Sequence, residues 1–415
     1  MSNETSKKGD TRPTPIELNA AADGYSFKED GQTKQGGASL TQDALRRLRK
    51  NRVAVASFWT LVVVGLLAFF TPLLPLTPPD HDNTGLAFAS PLKAPDRPGQ
   101  PGERVKLIEK TQPLTAQRLA EVRARIEEAR SAGGSSKSVE DLTQRPYSEL
   151  GYPELGPLAR AMVRARYAVF GEFTIGPICG RDNLGRDILS RVFWGARVSM
   201  IVGIVATIVS LVIGVAYGAV SGYVGGWVDD AMMRLVDVLY SIPFIFVVIY
   251  LITLLDEPSI KAWLESYGID RITIFYLVVG AIYWLTMARV VRGQVLSLKN
   301  ELFVEAARSI GVSQTGIIFR HIVPNLFSIV IVYLTLTIPR VILFEAFLSF
   351  LGLGVQPPDV SWGLLANEGI KVITPVKTYW WLILFPSLAI GVTLFALNFL
   401  GDGLRDAFDP RLKDS

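Results

Sequence analysis

Few side chains in this 415-residue chain carry reactive chemistry, and their scarcity is informative. There are two histidines, His81 and His321, and one cysteine, Cys179. A nucleophile–base pair or an H-E-x-x-H zinc helix needs histidine beside the right neighbour, and neither pattern occurs. A single thiol forms no internal disulfide framework and no multi-cysteine metal site. Cys179 therefore reads as a small semi-apolar filler. No G-x-x-x-x-G-K-[ST] loop is present to cradle nucleotide phosphates, so ATP hydrolysis would have to come from another polypeptide. What stands out instead is charge in an unusual place. Arg340 and Glu345 lie deep inside a stretch otherwise apolar enough for lipid, where charges usually face a cavity or another helix.

The elements that hold these residues follow from composition. The chain is 49% hydrophobic and 19% charged, and the charge is unevenly spread. Six charge-free runs cover residues 53–76, 198–228, 238–255, 272–288, 322–339 and 378–401. A span needs about 20 apolar residues, and lipid leaves backbone amides no partner except within a helix. The fold class is therefore an all-α membrane protein with six transmembrane helices. The run at 53–76 lies too far into the chain for a signal peptide and has no small-residue cleavage pattern after it. The formal net charge of +4 does not argue for nucleic acid.

Lysine and arginine set the orientation. Arg46, Arg47, Arg49, Lys50 and Arg52 precede the first span. Arg289, Arg292, Lys299, Arg308 and Arg320 separate the fourth from the fifth, and Arg405, Arg411 and Lys413 follow the sixth. Both termini are expected in the cytoplasm. Residues 1–40 read as a disordered cytoplasmic tail. Residues 41–76 read as a basic helix leading into the first span, and 77–180 as a long external insert, partly helical. Within the insert Thr115 can cap a helix that Gly133–Gly134 stops. Residues 181–408 form the transmembrane domain, and 409–415 a short cytoplasmic tail.

One cytoplasmic stretch is short, amphipathic and wedged between two spans: "EAARSIGVSQTGIIFRHIVPN", residues 305–325. Phe303, Ala306 and Ala307 give its first helix a small-residue face. Gly311 turns the chain through positive φ without a Cβ penalty. Ser313 caps a second helix bearing Ile317, Ile318 and Ile322. Pro324 is expected to break that helix and Asn325 to open the fifth span. A helix–turn–helix so placed is a rigid lever, and a soluble partner gripping it would push on both adjoining spans.

The spacing of Glu305, Ala306 and Ala307, then Gly311, then Pro324 resembles the EAA loop of ABC importer permeases. In that pattern an isoleucine often precedes the proline by three residues; here it is His321, which fits the peptide/nickel branch. "GRDNLGRDILSRVFWGARVSM" (residues 180–200) is similar to that branch's G-T-D-x-x-G-R-D signature, with Arg181 where threonine is usual. "FEAFLSFLGLGVQPPDVSWG" (344–363) looks like its fifth-span exit and "NFLGDGLRDAFDPRLK" (398–413) like its C-terminus. The resemblance covers most of 41–413 except the insert, and the C subunit of oligopeptide importers is the nearest likeness. It implies a type I importer permease fold in a bacterial inner membrane, with coupling helices at 297–324. It implies no enzyme activity and no bound cofactor, with ATP and magnesium used by two partner ATPase subunits. A second homologous permease and an extracytoplasmic substrate-binding protein complete the assembly. Dipeptides, peptide-like antibiotics and nickel are neighbouring cargoes; nickel fits less well, since no His/Cys/Asp cluster lines a span. Glu305 is the expected ATPase-docking residue, with Ala306, Ala307, Gly311, His321 and Pro324 around it. That position explains His321 better than a proton switch does.

Three further readings concern the spans. Gly214, Gly218, Gly222 and Gly226 recur every four residues and clear one helix face for close backbone approach; the partner helix is either in this chain or in another subunit. Arg340 and Glu345 lie ~22 and ~30 Å along the fifth helix from Asn325, ~140° apart around it. Arg340 and Glu345 are the candidates for a translocation path; Arg340 either lines it, meeting a peptide carboxylate or backbone, or snorkels outward. Asp229, Asp230, Arg234 and Asp237 read as a solvated turn and helix start. A secondary transporter is the alternative of a different class; its inverted repeat with matched broken spans is not evident, since Pro243 and Pro386 lie in unlike contexts.

Overall fold

The computed structural model describes residues 40–92, 108–110, 147–148, 150–171, 173–255, 257–267 and 271–408. The expected helix from Thr115, the 409–415 tail and all but Leu40 of the 1–40 tail lie outside these residues. A basic helix α1 (Leu40–Lys50) leads to α2 (Arg52–Phe70). Asn51 separates them, its side-chain oxygen accepting from the backbone of Val53 and Ala54 at 3.1 Å, an N-cap that starts the first span.

The segment expected as the insert contributes a helix, α3 (Pro157–Phe170), and a short antiparallel pair of strands, β1 (Ile108–Lys110) with β2 (Phe173–Ile175). The strands are a departure from the all-α expectation. Helix α3 packs Ala159, Val163 and Tyr167 with Tyr147, Tyr152 and Leu155 against Trp194, so this part of the segment rests on the bundle.

Asp187 caps α4 (Ile188–Val224), its carboxylate accepting from Leu189 N at 3.0 Å. At 37 residues α4 is ~55 Å long, nearly twice the ~30 Å hydrocarbon thickness. It begins ten residues before the charge-free run at 198–228, taking Arg191 and Arg197 into the helix.

Among the described residues five helices are long and apolar enough to cross a membrane: Arg52–Leu73, Ile188–Val224, Thr273–Leu298, Phe327–Phe350 and Trp381–Phe408. The expected third span at 238–255 is not a straight rod. It straddles α5 (Gly226–Ser241) and α6 (Phe244–Leu255), which meet at 85°. Pro243 explains the break: it lacks a donor and forces Ile242 into extended backbone (φ −81°, ψ 125°). Counted as one broken span, the pair brings the total to six. Pro386, by contrast, sits inside an unbroken helix.

The rest of the bundle is α7 (Pro258–Ser266), α8 (Arg271–Leu298), α9 (Leu302–Ser309), α10 (Phe327–Phe350), α11 (Trp362–Lys371) and α12 (Trp381–Phe408). Helices α4 and α8 run side by side in the same direction and form the spine. Near one end, Val202 and Ala206 of α4, Val248 of α6, Phe275 and Val279 of α8, and Val341 and Leu348 of α10 share one apolar cluster.

Candidate functional site

The stretch 301–326 forms a helical hairpin. Its first arm, α9, ends as glycine-closed helices do: Val312 N reaches back to Ala307 O at 3.1 Å and Gly311 takes φ +80°. Ser313 caps the second arm, its hydroxyl accepting from Gly316 N at 3.2 Å. That arm is a turn at Gln314–Gly316, a π-helical stretch Ile317–Ile322 and a turn at Val323–Asn325. Pro324 does not break it, contrary to expectation. Helical backbone continues through Leu326 into α10. Val323 N bonds Ile318 O, five residues back; the widened turn relieves the clash that a proline ring makes with an α-helical carbonyl. Asn325 Nδ2 donates to His321 O at 2.6 Å, satisfying one displaced carbonyl.

The hairpin is bolted to the spans through one apolar cluster. Val304 and Ala307 come from the first arm and Ile317, Ile318 and Ile322 from the second. They meet Ala219 of α4, Met287, Val291 and Val295 of α8, and Val330 of α10. The inward face of α9 is thus Val304 and Ala307, while Phe303 and Ala306 lie on the exposed side. Glu305 is exposed too, with Leu302 at 81% and Ile310 at 80% exposure beside it. His321 is half-buried and Pro324 exposed.

Next to the hairpin is a charge pair that the sequence reading missed. Asp229 is buried, not solvated: Arg292 Nε and Nη2 donate to its two oxygens at 2.6 Å each, and the Ser221 hydroxyl donates as well. This bidentate clamp joins α4, α5 and α8. The partners are 63 residues apart, so only the late arginines of α8 hinted at it. Asp237 matches the solvated reading, pairing with Arg289 at 2.6 Å while both stay exposed.

The glycine row faces α8 within this chain. A Cβ on Gly214 would stand 2.6 Å from Met287 Cβ, and one on Gly218 2.3 Å from Ala288 O. One on Gly222 would meet Arg292 O at 2.9 Å. Gly226 departs from the row: it sits at φ +58° beyond the end of α4, with nothing within 4 Å.

Arg340 and Glu345 have opposite surroundings. Glu345 is 0% exposed and accepts from Ser199 at 2.9 Å and Ser349 at 2.7 Å. It ties α4 to α10 and lines no open path here, which corrects its placement beside Arg340. The rotation of the helix sets it against α4. Arg340 is exposed.

At the far end of α4 lies a buried ionic knot built from the "GRDNLGRD" stretch. Asp182 Oδ1 accepts from the backbone of Leu184 and Arg186 at 2.9 Å. Its Oδ2 accepts from Arg186 Nε and Arg191 Nη1 at 2.7 Å. Arg186 also reaches Asp80 at 2.7 Å, and both arginines reach Glu368 of α11. Burial alone would lower the Arg186 pKa, but Asp182, Glu368 and Asp80 together raise it well above the usual arginine value. Arg181 donates to Gly185 O at 2.7 Å and accepts from the Trp381 indole at its own carbonyl. Gly185 must be glycine: it has φ +77° and a Cβ would overlap Asn83 O. Nearby, burial and then Asp187 push the Cys179 thiol up to about 12, so it is inert at neutral pH. Glu368 went unnoticed because nothing local marks it.

Residues 210–414 match the family described as binding-protein-dependent transport system inner membrane component. Residues 39–95 match the N-terminal TM domain of oligopeptide transport permease C. The oligopeptide transport system permease protein OppC of Escherichia coli K12 is 50% identical over 236 residues, covering 57% of this chain and 73% of that protein. The chain belongs to this permease family. The dipeptide permease DppC of Bacillus subtilis 168 is 44% identical over 234 residues (56% and 68%), and the glutathione permease GsiD of Salmonella typhimurium 46% over 237 (56% and 72%). A chain of the MetNI methionine ABC transporter superposes with TM-score 0.38 and 16% identity, covering 52% of this chain and 96% of that one; at that score it decides nothing. For a permease of this family the matched regions are instructive. They hold the whole hairpin and α8, whereas Asp182, Arg186 and Arg191 fall between them.

Proposed function

We propose that this permease forms half of a translocation path for peptides, oligopeptides foremost, across a bacterial inner membrane. A second, homologous permease supplies the other half. Two ATPase subunits, using ATP and magnesium, dock on the hairpin, and an extracytoplasmic binding protein delivers the cargo. Both termini and the hairpin are cytoplasmic. The chain itself carries out no catalysis. The names of the relatives, oligopeptide and dipeptide permeases at 50% and 44% identity, support the cargo class.

One observation carries the mechanical part. The hairpin buries one face in a cluster shared with α4, α8 and α10, and leaves Leu302, Glu305 and Ile310 open on the other. A soluble subunit that grips the open face therefore moves three helices at once. ATP must favour one packing of those helices over another through differential contacts, and access to the path then alternates.

The test is to co-express the chain with its companion subunits and introduce Glu305→Cys. A membrane-impermeant thiol reagent should label the introduced thiol in inside-out vesicles, not in intact cells, and the ATPase subunits should shield it on assembly. Labelling from the outside, or purification without any ATPase, removes the proposal.

A further inference from the structure

A file of polar side chains runs along one open face of the bundle, across three elements. It begins at Asp237 and Arg289, 2.6 Å apart, continues with the Arg289 guanidinium 4.3 Å over the Tyr240 ring, and then with Tyr240 OH 2.7 Å from Thr286 Oγ1. Tyr283 follows, its hydroxyl donating to Arg340 O at 3.3 Å, and Arg340 ends the file. Arg289, Tyr240 and Arg340 are all exposed. Lipid does not tolerate such a row, so water or another subunit must face it.

The two arginines differ. Arg289 already has a carboxylate and a ring. The Arg340 guanidinium makes no ion pair or hydrogen bond among the described residues. It stands ~20 Å along α10, inside the hydrocarbon depth. The acid nearest to it in sequence, Glu345, points away and is sealed by Ser199 and Ser349. The ring that meets its backbone carbonyl, Tyr283, packs with Phe244 and Phe344. An exposed guanidinium with no carboxylate partner, beside an aromatic cluster on the same face, is matched best by a planar anion taken in two parallel hydrogen bonds.

We propose that Arg340 receives the free C-terminal carboxylate of a peptide in transit, and that the Tyr283, Thr286 and Tyr240 hydroxyls continue the track toward the hairpin end. This rests on the peptide-importer reading and adds a residue that discriminates among peptides. The main chain of every linear peptide carries that carboxylate, which lets one arginine serve cargoes of different side chains. Its open side keeps the contact short-lived.

The experiment uses the complete transporter in proteoliposomes, with one peptide supplied as the free acid and as the C-terminal amide. Arg340→Gln should lower free-acid uptake about tenfold while leaving the amide unchanged, as loss of a charge-assisted contact predicts. Amide uptake also reports that the variant is folded and assembled. Cys179 is buried, so an Arg340→Cys variant, with the companion subunits made cysteine-free, can be modified selectively at the new position. A cationic, water-soluble methanethiosulfonate should react and restore free-acid uptake; an anionic one should not restore it. Equal loss on both peptides, no loss on either, or an introduced thiol that water-borne reagents cannot reach each overturns the proposal. Failure of the importer reading looks different: the unmutated complex would then take up neither peptide.

Discussion

The two ends of α4 are held by opposite chemistries. At its start, Arg191 lies in a buried knot with Asp182, Arg186 and Glu368. At its finish, Ala219 lies in an apolar cluster with Ile317, Ile318 and Ile322, helped by one clamp from Arg292 to Asp229. A buried ionic knot is directional: each charge needs its partner at a fixed distance, and a shift leaves charges bare. Apolar contact is non-directional and tolerates sliding. The first end is built to keep register; the second leaves room for the sliding that the proposed coupling would need.

Breaking the knot should have the largest effect. Arg191→Met leaves Asp182 and Glu368 with Arg186 as their one remaining arginine and should destabilise by ~3 kcal/mol, the lower end for a broken buried pair, measured as lost yield and lowered thermal midpoint in detergent; a fold indifferent to it would refute the contrast. Gly218→Val forces a side chain onto Ala288 O and should destabilise by ~1–3 kcal/mol as overpacking does; an unchanged midpoint would mean that α4 and α8 can part. Gly311→Ala strains the positive-φ turn by about 1–2 kcal/mol, leaves the complex inserted and should uncouple ATP hydrolysis from uptake; normal uptake per ATP would show the turn does not transmit. Glu305→Ala should alter stability by under about 0.5 kcal/mol yet lower ATPase docking, read by co-purification. If it lowers the midpoint as much as Arg191→Met, the two ends are not distinct.

How much of this was legible depended on range. Gly311 and Ser313 were readable because their chemistry is local: positive φ and a hydroxyl three residues from the amide it caps. The outward place of Glu305 came from the family resemblance, while spacing alone put Phe303 and Ala306 on the inner face that Val304 and Ala307 in fact form. The π-helical stretch was not readable, since proline usually ends a helix and the relief lies in a rarer hydrogen-bond pattern. Burial of Asp229 and Glu345 depends on partners 63 and 146 residues away, and helical period gives depth in the membrane but not which neighbour a face meets. The short third rod was half legible: Pro243 marked the break, but composition alone still made 238–255 look like one span.

The length of α4 has its own consequence. A helix of ~55 Å, gripped at one tip by directional ionic contacts and at the other mainly by non-directional apolar ones, acts as a long lever. A tilt of only about 5° about the ionic tip swings the other by roughly 5 Å, about one helical turn. Small angular changes at the knot therefore become large strokes where the hairpin sits, with no helix needing to unwind.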